Sequence, residues 1–223
     1  LPPTGGRGCR PGRRIRYRSG VYGRIRLWYC HHNDSAAEAP EKSGTRYGID
    51  PYTFSHKDET AKPGYWAVKL PKAGLVAELT ATQHAGIHRY IYSGSGRYIL
   101  IDLNHALSDD RVDQCSLRQI SDTEICGMRR THGWVENQTI HFYARFSRPI
   151  ISFNDAERQA LLEFAPDTDT LTAAVGISAV SIENAKLNLD TEVPELDFDQ
   201  ITLGNLAHCH VWHPRERRHR KTA

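Results

Sequence analysis

Acidic residues are missing from the first 30 positions, where eight arginines stand (Arg7, Arg10, Arg13, Arg14, Arg16, Arg18, Arg24 and Arg26). Residues 203–223 hold a single acid, Glu216, against four arginines and one lysine. The ends therefore carry +8 and +4, and a formal total of +3 leaves −9 for residues 31–202. One self-consistent domain rarely divides its charge this way. Long apolar runs are also missing. Nothing approaches the roughly 18 consecutive apolar residues that span a bilayer. No apolar segment follows the N-terminal charges as a signal peptide requires, so any export signal is expected to lie outside this chain. The five cysteines (Cys9, Cys30, Cys115, Cys126 and Cys209) form no CxxC pair, and no repeat is visible. Cys115 and Cys126 are close enough in sequence to be either bridged or two small core residues, and the redox compartment stays open.

What is present lies in the middle. Hydrophobic residues make up 39% of the chain, and the shortfall falls in the ends, because the centre holds runs such as Tyr98-Ile99-Leu100-Ile101. Residues 1–53 show no sustained period and are rich in Arg, Gly and Pro, which predicts disorder. From Phe54 the pattern changes. Pro63-Gly64 marks a turn, Tyr65 to Leu70 reads as an aromatic strand, and Leu75 to Thr82 alternates with a period of two. Gly86 is expected to separate two strands, with His84 and His88 as exposed hairpin residues. Ile87 to Tyr92 and Arg97 to Leu103 follow, and further strands are expected near 115–120, 123–129, 139–147 and 170–178. Short strands with a turn signal about every ten residues predict a mainly β fold, an antiparallel β-sandwich. Ser181 opens a helix expected to run to about Thr191, with Pro194 ending it.

The motifs Phe54-Ser55-His56-Lys57-Asp58-Glu59, Pro63-Gly64-Tyr65-Trp66, Ala77-Glu78-Leu79-Thr80-Ala81-Thr82 and Gly86-Ile87-His88-Arg89-Tyr90 occur in order. Ile99 to Leu103, Gly133-Trp134, His141 to Ser147 and Val175 to Ser178 continue the series. Together they resemble the N-terminal domain of glycoside hydrolase family 92, the calcium-dependent exo-α-mannosidases. The resemblance implies a supersandwich-type β domain over 54–201, its linker helix at 181–191, followed in the family by an (α/α)-barrel. Residues 1–53 and the basic tail 202–223 do not resemble the family. They are expected to be disordered or the products of frameshifts at about 45–54 and 201–203, which would make the chain a fragment.

Inverting glycosidases pair an acid with a base about 6.5–9.5 Å apart. The resemblance places those groups, and most calcium ligands, in the barrel. Glu78, Asp102, Asp109, Asp110 and Glu183 match no catalytic position, so no catalytic residue and no metal ligand is expected here. His56, Trp66 and Trp134 are the candidates for touching sugar, the histidine by its place in the motif and the tryptophans through their faces; a turn-capping role for His56 and core packing for the tryptophans are the plainer readings. His208, Cys209, His210 and His213 cluster without the second cysteine pair that would complete a zinc site. Asn137-Gln138-Thr139 and Asn33-Asp34-Ser35 fit the N-glycosylation pattern. The arginines would hold polyanions, yet no recognition element accompanies them, so no specific nucleic-acid partner is expected. The expected function is the substrate-wall sandwich of a secreted, periplasmic or cell-surface α-mannosidase that trims N-glycan or mannan mannose. The isolated chain is expected to be inactive. A stand-alone carbohydrate-binding module and a basic polyanion binder are the alternatives. Missing strands and a bare barrel-facing surface are expected to cause self-association.

Overall fold

Alternation along one strand sets the architecture. Tyr90 and Tyr92 point to one side of their sheet and are buried, while Ile87 and Arg89 point to the other. The computed structural model describes residues 26–30, 42–43, 46–47, 54–104, 111–133 and 135–212. In chain order these form β1 (Arg26–Cys30), β2 (Lys42–Ser43), β3 (Arg46–Tyr47), β4 (Glu59–Lys62), β5 (Tyr65–Leu70), β6 (Leu75–Ala81) and β7 (Ala85–Tyr92). They continue with β8 (Tyr98–Asp102), β9 (Arg111–Gln119), β10 (Glu124–His132), β11 (Gln138–Phe146), β12 (Ile150–Ala156), β13 (Gln159–Phe164) and β14 (Thr170–Ser178). Two helices follow, α1 (Ile182–Glu192) and α2 (Phe198–Trp212).

Strands β4-β5-β6-β7-β14-β11-β10-β9 make one sheet and β1-β8-β13-β12 a second, with β2 and β3 as a small hairpin. Ladders within both large sheets are antiparallel. The sheets face each other across a core in which Leu75, Tyr90, Phe142 and Phe146 of the larger meet Ile99, Ile101, Leu162 and Phe164 of the smaller. This is the antiparallel β-sandwich read from the sequence. The other face of the large sheet has its own apolar patch, where Ile87, Cys126, Tyr143 and Ala174 lie under Ala185 and Leu189 of α1 and Phe198 of α2. The middle of that sheet is thus covered on both faces.

Helix α1 begins where expected, because the Ser181 hydroxyl accepts the Asn184 N–H at 3.1 Å. Its fit against β14 depends on Gly176, whose Cβ position lies 2.4 Å from the Ala185 carbonyl oxygen.

Three expectations are corrected, and one alternative left open by the sequence is decided. Residues 1–53 are not uniformly without structure: β1 pairs with β8 from Arg26↔Asp102 to Cys30↔Tyr98, and β2 pairs with β3. The short Leu27-Trp28-Tyr29 run is submerged in an arginine-rich average and is recognised only by its ladder. The tail is not without structure from 202, because α2 runs to Trp212. Its start is fixed by Asp197, whose carboxylate accepts the N–H groups of Asp199 and Gln200 at 3.0 Å each. Gly86 separates no strands, since β7 passes through it and the turn falls at 82–84. His88 is consequently buried at 6% exposure rather than displayed on a hairpin. Cys115 and Cys126 are free thiols. Cys115 faces the sandwich interior opposite Arg129, whereas Cys126 is on the α1 side opposite Arg118, so the two point to opposite faces. Trp134, Asp109, Asp110, Asn33 and His213 lie outside the described residues, as do the side chains of His208, Cys209 and His210.

Candidate functional site

Two of the three candidate side chains converge on one carboxylate. Ser55 caps a single 3-10 turn, His56–Asp58: its hydroxyl accepts the Lys57 N–H at 3.3 Å and Asp58 accepts the Ser55 N–H at 3.2 Å. Capping therefore belongs to Ser55, not to His56. Glu59 leaves this turn as the first residue of the edge strand β4. Its Oε1 accepts the Trp66 indole N–H from β5 at 2.7 Å, and its Oε2 lies 3.0 Å from His56 Nδ1. Phe54 meets the Trp66 ring edge-on, with centroids 6.4 Å apart. His56 is 83% exposed, so most of its imidazole faces solvent while one nitrogen is tied to the carboxylate.

Hydrogen bonding from Trp66, then from His56, holds the Glu59 carboxyl below its ordinary range despite slight opposition from burial. An ionised carboxylate fixed between an indole and an imidazole suits the binding of hydroxyl-bearing ligands. The neighbouring carboxylate, Asp58, is committed to the Ser55 backbone. Glu59 had no place among the carboxylates singled out from sequence, although the Ser55-to-Asp58 capping box that positions it is readable there.

Of those carboxylates, the described ones, Glu78, Asp102 and Glu183, serve the fold. Glu78 accepts the Tyr65 hydroxyl at 2.7 Å and Arg89 Nε at 2.6 Å, and Arg89 reaches Asp199 of α2 at 2.8 Å. Burial and then the bond to Glu78 push Tyr65 up to about 12. The bond to Glu78 likewise raises Arg89. Asp102 accepts the backbone and side-chain N–H groups of Asn104. Glu183 is exposed in the first turn of α1 and is held below its ordinary value by backbone N–H donation there, then by Ser181. On α1, Glu192 takes Thr82 Oγ1 at 2.5 Å, the His84 N–H at 2.8 Å and His84 Nδ1 at 2.6 Å. His88 is paired with the Tyr90 hydroxyl at 2.8 Å inside the sandwich, and burial lowers it to about 4. An open cleft of about 460 Å³ lies between Thr170, Thr172 and the chain joining α1 to α2, with Arg89 in its lining.

Among the described residues no three of His, Cys, Asp and Glu stand together in a group that could hold a metal ion. No helix among them is long and apolar enough to cross a membrane.

The fold is a helix-capped β-sandwich of the kind that forms the first domain of certain glycosyl hydrolases. The model of the glycosyl hydrolase family 92 N-terminal domain matches residues 22–178, and the chain belongs to that family. Residues 22–53, set apart in the sequence by their arginines, fall inside the match. Among solved structures, the family 92 α-mannosidase BT3965 of Bacteroides thetaiotaomicron superposes with a TM-score of 0.67 at 24% identity, covering 83% of this chain and 27% of its own. The family 92 glycosyl hydrolase ccman5 gives 0.63 at 24%, over 72% and 25%. The inverting mannosidase BT2199 of Bacteroides thetaiotaomicron gives 0.57 at 23%, over 69% and 22%. The chain thus spans about a quarter of the length of these relatives. No curated protein matches it.

Proposed function

We propose that this chain is the sandwich part of an inverting exo-α-mannosidase that removes mannose from N-glycans or mannan outside the cytoplasm. The supporting observation is its membership of family 92 over residues 22–178, together with solved relatives named as mannosidases. In this reading the sandwich walls the sugar site, and His56, Trp66 and Trp134 are its sugar-facing side chains. Glu59 anchors the first two: it fixes the indole plane for packing against sugar C–H groups and leaves the exposed imidazole edge for hydroxyls. In this reading the acid, the base and most calcium ligands belong to an (α/α)-barrel. The sandwich's part in this reading is to orient the ring and shield one side from water.

The test is mannose release from an α-1,2-linked mannobiose in the presence of calcium. The chain alone is expected to release none, and a chimera joining it to the remainder of BT3965 is expected to turn over. His56→Ala in the chimera is expected to raise KM more than it lowers kcat. Turnover by the chain alone would overturn the division of labour. Retention on a mannan column with a folded but inert chimera would favour a binding module instead.

A further inference from the structure

Helix α2 sits on the turn of the hairpin that carries the Glu59 cluster. Asn205 Nδ2 donates to Thr80 Oγ1 at 2.8 Å and to the Ala81 carbonyl at 2.7 Å, and Thr80 Oγ1 donates onward to the Gly64 carbonyl at 2.7 Å. Gly64 closes the β4–β5 turn with a φ of +72°, where side chains are rarely tolerated, and a Cβ there would fall 2.8 Å from Asn205 Cβ. Glycine is therefore required twice, once for the turn and once for the approach of the helix. One residue on, Tyr65 meets the Phe198 ring edge-on at 6.3 Å, and Arg89 stacks over that ring at 4.4 Å while gripping Asp199. The next residue is Trp66, whose indole turns to the opposite face and holds Glu59.

Among the described residues, strand β4 is an edge strand of the large sheet, bonded only to β5 and exposed over Thr60 to Lys62. Its register, from Lys62↔Tyr65 to Glu59↔Val68, is set at the turn that α2 covers. A four-residue edge ladder has little cooperativity of its own, so what fixes the turn fixes the strand.

We propose that α2 is a latch on the β4–β5 hairpin: seated through Asn205, Phe198 and Asp199, it holds Glu59, His56 and Trp66 in their shared geometry, and lifted, it releases them. The chain running on from α2 would thereby set the state of the cluster from the opposite face of the sheet. The functional meaning of the latch rests on the reading of that cluster as sugar-facing; its mechanical content does not.

The test is amide hydrogen exchange and NMR on the full chain carrying Asn205→Ala. The latch predicts about tenfold faster exchange at residues 60–62, with β10 and β11 unchanged. The Trp66 indole N–H resonance should move, and Glu59 should titrate higher than in the parent. Asp199→Asn should produce a smaller shift of the same pattern. Faster exchange confined to α2, with β4 and the indole signal unaltered, would overturn the proposal. So would uniform acceleration across both sheets. Neither readout requires catalysis, so failure of the mannosidase reading would leave these results standing.

Discussion

Arg89 and Arg145 perform the same task on the two sides of strand β14. Each donates Nε to a glutamate on the neighbouring strand, Glu78 at 2.6 Å and Glu124 at 2.9 Å, and extends a terminal nitrogen to a helix aspartate, Asp199 at 2.8 Å and Asp190 at 2.7 Å. Each glutamate also accepts a tyrosine hydroxyl, from Tyr65 and Tyr143. Tyr143, like Tyr65, is pushed up to about 12 by burial and then by its glutamate. Two helices are thus docked by the same four-residue clamp.

Glu78→Ala leaves the Tyr65 hydroxyl and Arg89 Nε without their acceptor and is expected to cost about 2–3 kcal/mol, the range for charge-assisted bonds of limited exposure. Asp199→Asn, at an exposed carboxylate, is expected to cost under about 1 kcal/mol. Urea unfolding checks both. A larger loss for Asp199→Asn than for Glu78→Ala would contradict the assignment of the glutamate as the hub.

Buried His88 makes the sandwich acid-sensitive. Its folded value near 4 lies below the ordinary 6.5, so the unfolded chain binds the extra proton between those limits. The contribution is complete above about pH 6.5 and declines as pH falls toward 4, by about 3 kcal/mol in all. His88→Gln is expected to flatten that part of the stability–pH curve. An unchanged slope in the variant would refute the assignment.

Gly176→Ala drives a methyl group into the Ala185 carbonyl and to within 2.8 Å of Leu189 Cβ. A cost of about 1–3 kcal/mol is expected, with α1 amides exchanging faster than those of the inner sheet. A variant as stable as the parent would show that α1 has room to shift.

Trp66→Phe keeps the ring in place but deletes the N–H donor to Glu59. The Glu59 titration is expected to rise toward the ordinary carboxylate range, because the largest cause of its depression is lost. The stability tied to this carboxylate is present above its unfolded value and fades as pH falls, so the variant should be less sensitive to mild acid. Carboxyl carbon shifts followed by NMR provide the readout.

Strands β5, β6 and β8 are legible in the sequence because their apolar residues alternate or run unbroken between turn signals. The β12–β13 hairpin is not, since its turn carries Glu157 and Arg158 instead of Gly, Asn or Pro, with Arg158 at a φ of +58°. Strand β4 gives no strand signal in the sequence, because it is exposed over Thr60 to Lys62 and has little to bury. At the site, His56 and Trp66 stand out as residue types. Glu59 does not, since its meaning comes from the hairpin that brings Trp66 back beside it. His88 misleads for a related reason: Gly86, two residues before it, suggests a bend, whereas β7 runs through and the packing of two sheets encloses the imidazole.

Strand order carries one more implication. β14 joins β7 to β11, yet residues 170–178 come after every other described strand. During synthesis the segments 59–92 and 111–146 must wait as separate half-sheets until this last piece emerges from the ribosome and zips them together. A nascent chain stalled before Thr170 would expose two raw edges at once, those of β7 and β11.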